Sequence, residues 1–171
     1  MLVALSVIVS EQAHPPKSTM EKVDKFLDYA ASQEESVLTY HVSDMVIAIY
    51  SNASYLSEPK VRSRAGGSFF LSRYCDSPTN NGAVLPIAQI IKSVMTSESK
   101  AEIVVMYINL REALPTRKTL IEMGHPQPQT PIQTNNLAAH SVVTNNVHPR
   151  RTKAMDIHFC WICCWDVQGN I

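Results

Sequence analysis

A strand-like run, Met45-Val46-Ile47-Ala48-Ile49-Tyr50, leads straight into Ser51-Asn52-Ala53-Ser54. A short acid at the end of such a strand is where many metal nucleases hold a first catalytic carboxylate. This chain has Asn52 there, an amide that can offer oxygen but no charge. Two acids stand near in sequence. Asp44 precedes the strand and belongs to its far end, and Glu58 falls in what reads as a loop, so neither replaces position 52 by placement. Lys60, Arg62 and Arg64 follow the strand, and His148, Arg150, Arg151 and Lys153 precede a C-terminal apolar segment. Both basic groups could position phosphates without reading sequence, or simply form a solvated surface.

A second cluster is His158, Cys160, Cys163 and Cys164. Cys-x-x-Cys brings two thiolates at a spacing zinc can use, but no second Cys-x-x-Cys or His pair completes four ligands. Trp161 and Trp165 interleave with the thiols as on a packed helix face, so partly buried free thiols are the simpler expectation. His125 and His140 read as loop and helix-surface residues, and no Gly-x-Ser-x-Gly supports Ser-His-Asp catalysis.

The elements that must carry these residues can be read from periodicity. Leu2–Val9 is apolar but far short of the about 20 residues a bilayer requires, and it lacks signal-peptide flanks, so a buried helix or strand is expected. Ser18-Thr19-Met20-Glu21 has the form of a capping box, and Met20, Val23, Phe26, Leu27 and Ala30 repeat at helical spacing over 19–31. Strands are expected at 45–50, 68–71 and 83–88, with a basic loop at 60–67 and an Asn-Gly turn at Asn81-Gly82. Ile103, Met106, Tyr107, Leu110 and Leu114 share a helix face, closed by Pro115. A shorter helix over 117–123 stops at Gly124, a fourth strand covers 132–134, and 137–143 and 150–166 read as helical. The order implies an α/β domain: a mixed sheet of three antiparallel strands plus a parallel strand, with packed helices.

The totals set limits. The 171 residues suffice for one cored domain with a helical extension, and the formal net charge of +0 leaves any nucleic-acid binding to a local basic face. Four cysteines do not make a secreted disulfide framework, so an intracellular, reducing setting is expected, with no membrane partner.

Several segments, in order, resemble the RNase H region of copia-type retrotransposon polyproteins: SNASYLSEPKVRSRAGGSFFL, IIKSVMTSESKAEIVVMYINLREALPTRKTLIEMGHPQ, TPIQTNNLAAHSVVTNNV and RRTKAMDIHF. STMEKVDKFLDYAAS is similar to the helix joining the reverse transcriptase to that region. The resemblance implies a helical connection over 1–40 and an incomplete RNase H-like domain over 41–171, lacking the fifth strand and final helix. It implies an ancestral role in cleaving RNA–DNA hybrids with two Mg²⁺ ions held by four carboxylates. The first acid position is Asn52. The second, in an Ala-Glu pair, is Glu102, the one metal ligand the pattern keeps. The third, in a Thr-Asp-Asn pattern, is Asn135. The fourth would lie past a fifth strand, and Asp156 precedes that strand. Both Asp-to-Asn changes fit single transitions in a decaying element. A copy without hydrolase activity and with no bound Mg²⁺ is therefore expected. Two other readings stay open: a module that binds RNA–DNA hybrid without cutting it, with Lys60, Arg62, Arg64, Arg150, Arg151 and Lys153 as phosphate contacts, or a hydrolase completed by a partner chain. An exposed sheet edge would favour such a partner or self-association.

Overall fold

The computed structural model describes residues 1–75, 78–137, 141 and 153–169, with the side chains of 153–156 outside that description. The chain divides into two compact units, Met1–Thr39 and Tyr40–Ile171.

The first unit holds two helices, α1 (Leu2–Ser10) and α2 (Ser18–Ala31). α1 is a helix, as one of the two sequence options had it, but none of its residues is buried: Leu2, Val3, Leu5 and Val9 are all exposed. A two-helix unit of this size has too little partner surface to cover an apolar helix. The capping box does not form either. α2 begins at Ser18 with Lys17 as its N-cap and no side-chain cap. The hydroxyl of Thr19 instead donates to Glu11 Oε2 at 2.8 Å, and Lys22 Nζ pairs with Glu11 Oε1. These contacts tie the end of α1 to the first turn of α2, and the Lys22 and then Thr19 hydrogen bonds hold the Glu11 carboxyl below its ordinary pKa.

The second unit contains a mixed sheet with strand order β3-β2-β1-β4. Its strands are β1 (Val46–Glu58), β2 (Arg62–Ser72), β3 (Ala83–Ile90) and β4 (Ile132–Thr134). β1 pairs antiparallel with β2, β2 antiparallel with β3, and β4 parallel with β1. Two helices join the sheet, α3 (Glu98–Glu122) and α4 (Lys153–Val167). The α/β class and the mixed sheet of three antiparallel strands plus one parallel strand thus hold among the described residues.

Two boundaries differ from the sequence reading, each for a physical reason. First, the supposed loop 60–67 is mostly strand. The β1–β2 turn is only Pro59-Lys60-Val61, with Lys60 and Val61 at φ 61° and 57°, and Glu58 already faces Arg62. The two glycines that suggested a turn serve another purpose: a Cβ on Gly67 would stand 2.4 Å from Asn109 Oδ1, so its hydrogen lets a helix side chain close onto the strand. Second, Pro115 does not end the helix. α3 runs through it to Glu122 because Ala113, Arg117 and Leu120 remain buried on either side, and that packing outweighs the lost backbone bond. There is accordingly no separate helix over 117–123. The apolar residues of α4 find partners, as a packed helix face requires. Phe159 and Ile162 are buried, Tyr107 meets the His158 and Trp161 rings edge-on at 4.4 and 5.1 Å, and Trp165 stacks on Trp161 at 4.9 Å. The expected helix 137–143 lies largely outside the described residues.

The main core lies between one sheet face and α3. Ile47, Ile49, Ala65 and Phe69 from the sheet pack with Ile103, Val105, Met106 and Leu110 from the helix, and Ile162 of α4 joins them. The Ser97 hydroxyl accepts the Lys100 N–H at 3.3 Å and caps α3. Beyond α3, the buried Arg117 guanidinium donates to the Gln127 and Pro128 carbonyls and to the Thr130 hydroxyl, fixing the return path to β4. At the other side, the Asn81 amide bonds the backbone of both His41 and Leu71.

Pro115 is exposed, so its replacement disturbs few contacts. Pro115→Ala is expected to restore a helical backbone bond and stabilise the chain by about 1–3 kcal/mol, read as an upward shift in the urea unfolding midpoint.

Candidate functional site

The site is built on one edge of β1. Along that edge the odd-numbered N–H groups point toward β4. Ile49 N–H donates to the Pro131 carbonyl at 3.0 Å, and the parallel pairing then runs through Ile49↔Ile132, Tyr50↔Gln133 and Ser51↔Thr134. β4 is three residues long and cannot serve donors further along. Two side chains continue its work. Gln127 Oε1 accepts the Ile47 N–H at 3.0 Å before the strand begins, and Glu102 Oε1 accepts the Ala53 N–H at 3.0 Å after it ends. Gln127 is further anchored by donating to the Met45 carbonyl at 2.8 Å.

This geometry places the three positions singled out by the resemblance around the last β1–β4 pair. Asn52 and Asn135 each follow directly on the last β1–β4 pair, Ser51↔Thr134; β4 ends there, whereas β1 runs on to Glu58 and pairs Asn52 with Gly66 of β2. Glu102 reaches from α3 to the backbone of Ala53, the residue after Asn52. Both asparagines are exposed, whereas Glu102 is 1% exposed. Strand alternation turns Ile49 and Ser51 toward α3 and Asn52 toward the opposite sheet face. The carboxyl of Glu102 thus lies at the strand edge, occupying the place of the next β4 acceptor.

The electrostatics of Glu102 follow from that enclosure. Oε2 is buried and has no hydrogen-bond partner among the described residues. Burial pushes the carboxyl above the ordinary glutamate pKa. The Ala53 N–H works against this, and the charge of Glu98 adds to it. The three positions therefore offer two neutral amides and one carboxyl whose surroundings disfavour its charge.

Other candidates are dispersed. Asp44 Oδ2 accepts the Tyr74 N–H at 3.0 Å at the far end of β1. Glu58 ends β1 and pairs with Arg64 Nε, both side chains being largely buried. Arg64 Nη1 also donates to the Ala88 carbonyl at 3.3 Å. Arg64 is therefore part of the sheet's interior and does not face solvent, while Lys60 is exposed in the turn and Arg62 half-buried at the start of β2. Arg150, Arg151, His140 and His148 lie outside the described residues, as does the side chain of Lys153.

Sequence reasoning missed Asn109. It is fully buried two turns beyond Glu102 on α3, and its Nδ2 donates to Ser51 Oγ at 2.9 Å and to the Gly66 carbonyl at 3.1 Å. It clamps β1 and β2 together immediately before the site. A signal existed: Glu102 and Asn109 are polar residues seven apart in an apolar helix, hence on the face that meets the sheet.

Two substitutions test these assignments. Because the folded-state pKa of Glu102 is raised, its contribution to stability is complete below the ordinary glutamate pKa and is lost as pH rises through the raised value. Glu102→Gln should abolish that loss, so urea midpoints measured from acid to neutral pH should converge at the acid end, with the variant the more stable at neutral pH. Gly67→Ala should cost about 1–3 kcal/mol, because the added methyl meets the buried Asn109 amide. Compared with protein-family models, curated proteins and solved structures, the chain matches none.

Proposed function

We propose that this chain is an RNase H-like domain related to the copia-type retrotransposon polyproteins, carrying a helical connection segment at 1–40, and that it no longer hydrolyses nucleic acid. Three features support the reading: the strand order β3-β2-β1-β4, the crossover through α3 to a parallel β4, and the placement of Asn52 and Asn135 just past the last β1–β4 pair with Glu102 bonded to the neighbouring Ala53 N–H. In such a domain the ancestral reaction is cleavage of the RNA strand of an RNA–DNA hybrid.

The observation that carries the loss of activity is the donor set itself. Mg²⁺ takes oxygen ligands at about 2.0–2.1 Å and is held in such sites through carboxylates. Two of them side by side need several anionic oxygens to offset their mutual repulsion. Asn52 and Asn135 supply no charge. Glu102 commits one oxygen to Ala53 and has its other oxygen enclosed by protein. These residues do not fit a pair of divalent ions.

The test is direct. A labelled RNA–DNA hybrid incubated with the full chain and Mg²⁺ or Mn²⁺ should remain intact. Turnover that disappears in Glu102→Gln would overturn the reading, since it would show a working carboxylate at the site.

A further inference from the structure

The thiols of α4 are independent of that site. α4 presents one face to α3 through the buried Phe159 and Ile162, with His158 and Trp161 meeting Tyr107 beside them. Cys160 and Cys164 lie one turn apart on the opposite face, and both are exposed, as are Ile157 and Val167. Cys163 is half-buried at the flank. Burial pushes its thiol up, and Cys160, Asp166 and Cys164 add to the effect.

Distances decide what the exposed pair can do. Residues four apart on a helix hold their Cβ atoms about 5–6 Å from one another. A disulfide needs about 3.5–4.5 Å, so Cys160 and Cys164 cannot be bridged without bending the helix. An ion inserted between the sulfurs lengthens the bridge. Taking about 2.3 Å per metal–sulfur bond, two bonds in line span about 4.6 Å, which suits the helical spacing. Among the described residues no group of three or more His, Cys, Asp or Glu is placed to hold a metal, so those residues do not build a closed tetrahedral zinc site. Two thiolates without further ligands suit a soft monovalent cation.

We propose that Cys160 and Cys164 form a two-thiolate site for a soft, thiophilic cation of the copper(I) class. On binding, each thiol gives its proton to solvent and forms one sulfur–metal bond. The metal keeps its oxidation state, so no electron acceptor is required. Cys163 is partly buried, which leaves Cys160 and Cys164 as the two exposed thiols of α4.

The experiment titrates copper(I) alone into the full chain carrying Cys75→Ser, without oxygen, against a chromophoric chelator of known affinity. The expected result is one ion per chain. Cys160→Ser and Cys164→Ser should each weaken binding by about 100-fold or more, because loss of one thiol removes the chelate effect. Cys163→Ser should bind as the parent does. The proposal fails if no ion binds tighter than to a single free thiol, if stoichiometry follows the number of thiols with no loss in Cys160→Ser, or if Cys163→Ser weakens binding as much as the other two. Circular dichroism of each variant separates loss of ligand from loss of helix.

Discussion

A row of backbone donors along one edge of β1 governs the second unit. Buried N–H groups must be paired, and β4 is too short to pair them all. The chain meets the requirement with a backbone carbonyl at Pro131 and with side chains on either side of it, Gln127 and Glu102. That solution couples remote segments. Glu102 belongs to α3 and Gln127 to the loop after it, so the helix, the loop and the strand are each held in place by the same edge. Arg117 reinforces the arrangement by tying the loop to the helix through three acceptors.

The same requirement gives Glu102 a structural role. Asn52 and Asn135 are exposed. Glu102 completes a ladder, so its removal to a side chain without an acceptor would leave the buried Ala53 N–H unsatisfied. The presence of an acid at position 102 is therefore accounted for by structure. An acid at that position is not in itself a sign of catalysis.

The sequence made the mixed sheet legible because strand residues alternate or cluster clearly, as in Val46–Ile49 and Phe69–Leu71, and because Ile132-Gln133-Thr134 stands apart between turn formers. It misplaced the β1–β2 turn because Gly66-Gly67 reads locally as flexibility. Only the three-dimensional approach of Asn109 reveals the pair as a tight contact. Pro115 misled in the same way: its local penalty is real, but buried residues before and after it carry the helix onward. The Glu102–Ala53 bond was not readable in the sequence, since it depends on where β4 stops. Likewise nothing in the string Arg62-Ser63-Arg64 distinguishes the interior cation Arg64 from its neighbour.

The pairing of Ile49 with Ile132 bears on how the second unit assembles. The β1–β2–β3 meander closes through short connections and so can form early, whereas β4 must return across the whole of α3 to find its register. Closing so long a loop costs entropy that is recovered only when the three-residue strand has docked. The meander will therefore wait with the β4 side of β1 unpaired, and during that interval the edge is open to strands of other molecules. α3, by delivering both Glu102 and the loop toward that edge, shortens the wait.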